Sequence, residues 1–279
     1  MPIAELSFLA VEDHEFQRRV LLRMLAGLGA KIVFAAADGR EALKIVSARN
    51  PPVDIIISDI QMPGMDGEEF MHHLGDAGTK ASIILTSALG ALTIASVETL
   101  TRSYGLRLLG VIEKPVTPPK LAALINLHER AQPKQDTART RTQAAGPSFT
   151  LEGFVEGLKK KLRPAAPVER SVLGAISGGD AAAEREILAD FRRVNDADAD
   201  RLKLAVDRHD IPQLSSAADC IKGASRTIGA LALAAVCEHL EHASRASDWK
   251  AIGESMGSFQ RELERLNSYC DEAKWALPS

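Results

Sequence analysis

Aromatic side chains are scarce. Two Trp, two Tyr and eight Phe make up 4% of the 279 residues, so any core must be built from Leu, Ile, Val and Ala. Cysteine is scarce too. Cys220, Cys237 and Cys270 show no C-x-x-C spacing, which argues against a zinc or disulfide framework and for reduced core thiols of a cytoplasmic protein. No excess of positive charge is present: the net charge of −3 supplies no field to attract nucleic acid or anionic lipid. No segment reaches the roughly 20 apolar residues of a membrane span. The N-terminus "MPIAELSFLAVEDHE" lacks the basic region of a signal peptide.

What is present is alternation. Short apolar runs at 6–11, 31–36, 53–58, 81–87 and 106–113 read as strands. Segments with helical apolar spacing follow each of them, at 16–29, 39–50, 67–78, 91–105 and 118–131. Five strand–helix units with continuous apolar strands imply a doubly wound parallel α/β sheet covered on both faces. The stretch 132–148, "QPKQDTARTRTQAAGPS", has no large apolar residue and reads as a flexible linker; 149–167 reads as a short helical connector. From 168 to 279 the pattern is helical, with segments near 168–176, 180–207, 211–226, 230–246 and 248–275. Asp180 and Asp210 are placed as N-caps, as is Asp66 in the first part. The expected architecture is an α/β domain over 1–131 followed by an all-α helical bundle.

In a parallel sheet of this kind the chemistry gathers at the C-terminal strand ends. Glu12 and Asp13 follow the first strand, Asp59 ends the third, Thr86 lies at the end of the fourth and Lys114 follows the fifth. Each contact between like charges costs roughly 4 kcal/mol at about 4 Å and an effective dielectric near ~20, so three converging carboxylates call for a hard cation such as Mg²⁺. A carboxylate beside a metal, with lysine and hydroxyl in reach, suits phosphoryl transfer.

The blocks "VEDHEFQRR", "SDIQMPGMDG", "LTSA" and "EKP" occur in the order and spacing of two-component response regulator receiver domains, which residues 5–131 resemble. The resemblance implies a flavodoxin-like (βα)5 fold in a cytoplasmic signalling protein that is not otherwise an enzyme. Asp59 would be the phosphoacceptor. Glu12 and Asp13 would hold Mg²⁺ with the backbone carbonyl of Gln61, and Thr86 and Lys114 would contact the phosphoryl group. It also implies a cis Lys114–Pro115 peptide. The chain departs from the family at Val111, where an aromatic switch residue is usual.

The stretch 216–243, "SAADCIKGASRTIGALALAAVCEHLEHA", allows a DNA-reading turn at "GASRTIG". The helix that follows argues against it, because it is apolar on a broad face and carries Glu238 and Glu241 on its polar side. Residues 169–275 resemble instead histidine-phosphotransfer domains, through Ala218, Lys222, Gly223, Gly229, Cys237, Leu240 and Glu241. In that pattern Gly223 lets a partner approach and Lys222 pairs with an incoming phosphoryl group. The family's phosphorylatable histidine falls at Asp219, so relay through this domain is expected to fail. Asp219 has three readings: a relic on a binding surface, a mimic of phosphohistidine, or a contact to the chain's own Mg²⁺ or Lys114. His239 and His242 are alternative phosphoacceptors. His72 and His73 read as surface residues, and His14 as lining the rim of the site or exposed. The implied partners are a sensor histidine kinase, another receiver or phosphotransfer protein, or a second copy of the chain in a homodimer. A phosphate-sink receiver with a dimerising bundle is the remaining alternative.

Overall fold

The computed structural model describes residues 2–48, 52–62, 65, 67–87, 99, 101–130 and 166–275. The linker 132–148, nearly all of the connector 149–167, Asp66 and most of the helix expected over 91–105 lie outside the described residues.

Five strands form one parallel sheet: β1 (Ser7–Val11), β2 (Ile32–Ala36), β3 (Ile55–Asp59), β4 (Ser82–Ser87) and β5 (Arg107–Glu113), in the order β2-β1-β3-β4-β5. Helices α1 (Glu15–Gly27), α2 (Gly39–Ala48), α3 (Gly67–Asp76) and α4 (Pro118–Arg130) lie between and after them. The period-2 pleat sorts the apolar runs onto two faces. Phe8, Ala10, Ile55, Ile57 and Ile84 pack with α1 and α4. Leu9, Val11, Ile56, Ile83 and Leu85 pack with Ala42 of α2 and with Phe70, Met71 and Leu74 of α3. The central strands β1, β3 and β4 are buried throughout, as continuous apolar runs require. The edge strand β2 is mostly half-exposed.

The second half is helical: α5 (Arg170–Ser177), α6 (Ala181–Asp207), α7 (Ile211–Ile228), α8 (Leu231–Arg245) and α9 (Trp249–Trp275). Helices α6 to α9 pack in a closed cycle, each against the next and α9 back against α6. Connections of two or three residues between them are the kind that join neighbouring helices of a bundle. The capping aspartates sit as their residue type predicts. Asp180 accepts hydrogen bonds from the amides of Ala182 and Ala183, and Asp210 from that of Gln213. Helix α7 ends at Gly229 with φ 82°, where a Cβ would stand 2.9 Å from the Glu169 carbonyl oxygen. Only glycine fits both constraints. None of the three cysteines is in a disulfide, and Cys237 and Cys270 are buried.

The two halves share one apolar core. Phe16 of α1 and Phe191 of α6, both fully buried, meet edge to face with ring centroids 5.5 Å apart. Helix α1 thus packs against the sheet on one side and against α6 and α7 on the other.

Candidate functional site: an acidic pocket beneath helix α7

The parallel register brings the expected residues together. Asp59 pairs in register with Thr86, and Val11, the residue before Glu12, with Ser58. Both connections leave the C-terminal edge on either side of β1, where the strand order reverses. Carboxylate oxygens of Glu12, Asp13 and Asp59 all lie within 4.8 Å of one another. The Lys114 Nζ reaches into them, 2.6 Å from Asp59 Oδ2 and 3.0 Å from Glu12 Oε2. Glu12, Asp59 and Thr86 are buried, the Lys114 side chain is 8% exposed, and Asp13 is half-buried. The Lys114–Pro115 peptide is cis.

Burial governs the electrostatics. It pushes the Glu12 carboxyl up to about 7; Lys114 opposes the rise and Asp59 adds to it. Burial raises Asp13 as well, reinforced by the charge of Asp59. Burial opposes the charge on Lys114, but Glu12 and Asp59 outweigh it and hold the ammonium above its ordinary range. Three carboxylates face one lysine, so the pocket retains excess negative charge. That donor set, all hard oxygen, fits a divalent cation of the Mg²⁺ type. Gln61 lies two residues beyond Asp59, and its amide donates to Asp59 Oδ1 at 3.2 Å.

Two residues add to what the sequence disclosed. Arg18 donates to the carbonyls of Glu12, at 2.6 Å, and Asp13, at 3.1 Å, and so clamps the acidic turn. A cation in the first turn of a helix opposes the helix dipole, and that mismatch was the available signal. His14 is the α1 N-cap. Its Nδ1 accepts from the Gln17 amide, which leaves the proton on Nε2 to donate to Asp198 Oδ2 at 2.9 Å. Both partners are buried, so His14 belongs to the interface between the two halves and neither to a rim nor to solvent.

The C-terminal expectations need correction at Glu241, and the structure adds partners for Lys222 and Asp219. Glu241 does not lie on a polar outer face. It is 5% exposed, and its Oε1 stands 2.5 Å from Lys222 Nζ, because a Lys buried on α7 needs a counter-charge from α8. Lys222 is also held by Asp219 Oδ1, at 2.8 Å. Asp219 therefore pairs with Lys222, while Lys114 is taken by Glu12 and Asp59. Burial raises Glu241 despite Lys222; burial opposes the charge on Lys222, but Asp219 and Glu241 together hold it above its usual value. His239 and His242 are exposed on α8, and His72 and His73 on α3.

Gly223 faces the receiver half. A Cβ there would stand 2.7 Å from Gln17 Nε2 of α1. Four residues on, Thr227 lines a small cavity together with Gln17, Glu12, Thr86, Lys114 and Val116. Helix α7 thus lies against α1 beside the acidic pocket and shares a cavity with Glu12, Thr86 and Lys114. At its other side, burial and then the charges of Asp198 and Asp13 push the Cys220 thiol up to about 12.

Residues 8–126 match the family model for the response regulator receiver domain, and residues 186–269 that for the Hpt domain. The chain is 33% identical over 154 residues to the cyclic di-GMP phosphodiesterase RocR of Pseudomonas aeruginosa, a match covering 55% of this chain and 38% of that protein. It is 27% identical over 234 residues to the virulence sensor protein BvgS of Bordetella bronchiseptica, covering 83% of this chain and 18% of that one. The chain thus spans well under half the length of these relatives. CheY in its CheX–CheY–BeF3–Mg²⁺ complex from Borrelia burgdorferi is 28% identical, with a TM-score of 0.39 over 43% of this chain and 86% of that one. The protein joins a receiver domain to an Hpt domain, two signalling modules of two-component phosphorelay systems.

Proposed function

We propose that the protein is a phosphorylation-dependent regulator whose receiver accepts phosphate on Asp59 and whose Hpt domain works by binding proteins, without passing phosphate on. The first half of the reading rests on the convergence of Glu12, Asp13 and Asp59 within 4.8 Å around the Lys114 ammonium. A carboxylate oxygen of Asp59 attacks the phosphorus of a phosphohistidine donor. The O–P bond forms as the P–N bond breaks, and the departing imidazole nitrogen takes up a proton. Lys114 and the Thr86 hydroxyl offset charge on the phosphoryl oxygens. Glu12, Asp13, Asp59 and the Gln61 carbonyl would hold Mg²⁺, which supplies Lewis-acid charge neutralisation when bound.

The second half rests on position 219. An imidazole there would be a neutral nucleophile; a carboxylate paired to Lys222 stands there instead, and among the described residues it lies in no carboxylate cluster of the kind that surrounds Asp59. Neutralised in this way, Asp219 supports a binding role more than it supports a mimic of a highly charged phosphohistidine. Partners of matching chemistry are sensor histidine kinases and other receivers, and the setting is cytoplasmic.

Labelling with radioactive phosphoramidate and Mg²⁺ tests both halves. One acid-stable, base-labile label is expected on wild type, and none on Asp59→Asn. Acid-labile label on the Hpt domain of the wild-type protein would overturn the second half.

A further inference from the structure

The face of the Hpt domain around Gly223 is not open. We infer that it is a docking surface for the receiver of the same chain, and that helix α7 acts as a built-in cover restricting access of phosphodonors to Asp59. The inference rests on the reading of Asp59 as phosphoacceptor.

Three kinds of contact carry it. The first is shape: Gln17 of α1 occupies the space that any side chain at 223 would need. The second is apolar burial, with Phe16 against Phe191 in a core continuous between the halves. The third is charge. Arg19 pairs with Asp190 at 2.9 Å, Arg23 with Glu186 at 2.6 Å and Glu15 with Arg193 at 3.1 Å. The α1 face thus offers two arginines where α6 offers acids. Inside this ring the His14–Asp198 hydrogen bond is buried. At the pocket, Thr227 and Gln17 line one cavity with Glu12, Thr86 and Lys114, and Asp59, paired to Lys114, is 5% exposed.

The contact also has the marks of a reversible one. Its rim pairs lie at the surface, where each contributes only about 0–1 kcal/mol. A groove lined by Val20, Leu22 and Ile187 remains between α1 and α6. Covalent linkage keeps the two surfaces at high effective concentration, so a modest intrinsic affinity holds the cover down. A phosphodonor then meets only the open fraction, and its apparent rate falls by that fraction.

The test uses the full-length chain. Gly223→Gln adds volume against Gln17 while favouring the helix that carries it. Arg19→Glu sets like charges against Asp190, and Arg19→Glu with Asp190→Arg restores the pair. Hydrogen exchange along α1 and the initial rate of Asp59 labelling by phosphoramidate with Mg²⁺ are read on each. Gly223→Gln and Arg19→Glu are expected to lose α1 protection and to label at least about fivefold faster than wild type. The charge-swapped double variant should return to wild-type protection and rate. Unchanged protection in both single variants would overturn the docking surface. Lost protection with an unchanged labelling rate would overturn the cover. Absence of label from every variant, wild type included, would count against Asp59 as acceptor and overturn the cover with it; the exchange data would then report on docking alone.

Discussion

Each half of the molecule buries one lysine between two carboxylates, and the two sites come out differently. In the receiver, Lys114 bridges Glu12 and Asp59, but Asp13 stands beside them, and acid outnumbers base by three to one. In the Hpt domain, Lys222 bridges Asp219 and Glu241, and Arg245 reaches Glu241 at 3.5 Å, so two acids face two bases. The first site carries charge it cannot balance from its own residues, which is the condition for recruiting a cation and a phosphoryl group. The second is already neutral. The comparison shows why similar ion-paired triads in one chain have different fates: chemistry needs an imbalance, and a balanced triad is structure.

The comparison can be broken at either lysine. Lys114→Met removes the ammonium that pairs with Glu12 and Asp59 and should lower the rate of Asp59 labelling about 100-fold, the scale of losing one charge-stabilising donor, as measured with phosphoramidate. Lys222→Met should leave that chemistry largely intact and act on stability instead. It strands Glu241 in a buried position, at a cost of about 3 kcal/mol measured by urea denaturation, and adding Glu241→Gln should recover much of the loss.

A finer test separates the two halves by acid. Burial works against the Asp198 carboxylate, but His14 and Arg201 outweigh it and hold its carboxyl below the usual value of 3.8. A carboxyl held low stabilises the folded state above pH 3.8, and that contribution is lost as the pH falls through the lowered value. Asp198→Asn should therefore destabilise by about 1 kcal/mol at neutral pH and show a shrinking penalty below pH 3.8 in thermal melts. The smallest effect is expected from His239→Ala with His242→Ala. Both side chains are exposed on α8, and labelling should match wild type in extent and in acid stability.

Much of this was legible in the residue order. Strand period, apolar helix spacing and Asp caps are local signals, and nearly every described element falls within two residues of its expected bounds. The acidic cluster was legible because parallel topology sends every strand end to one edge. Glu241 was misplaced for a related reason. Helical spacing puts it near Glu238 on a polar stripe, while the partner that draws it inward, Lys222, lies on another helix. The docking of α1 on α6 was hidden because the residues that carry it, Phe16, Arg19, Asp190 and Phe191, look like ordinary parts of two separate amphipathic helices. Nothing within either segment marks the other as its mate.

The turn from Glu12 to Arg18 holds carboxylates for a cation at one end and contacts α6 through His14 at its middle. Two equilibria therefore meet in seven residues, and thermodynamic linkage binds them. If closing α7 over the pocket changes the affinity of Glu12, Asp13 and Asp59 for a divalent ion by some factor, that ion changes the closing equilibrium by the same factor. Ionic magnesium at cellular levels would then be an input to domain docking as well as an aid to chemistry.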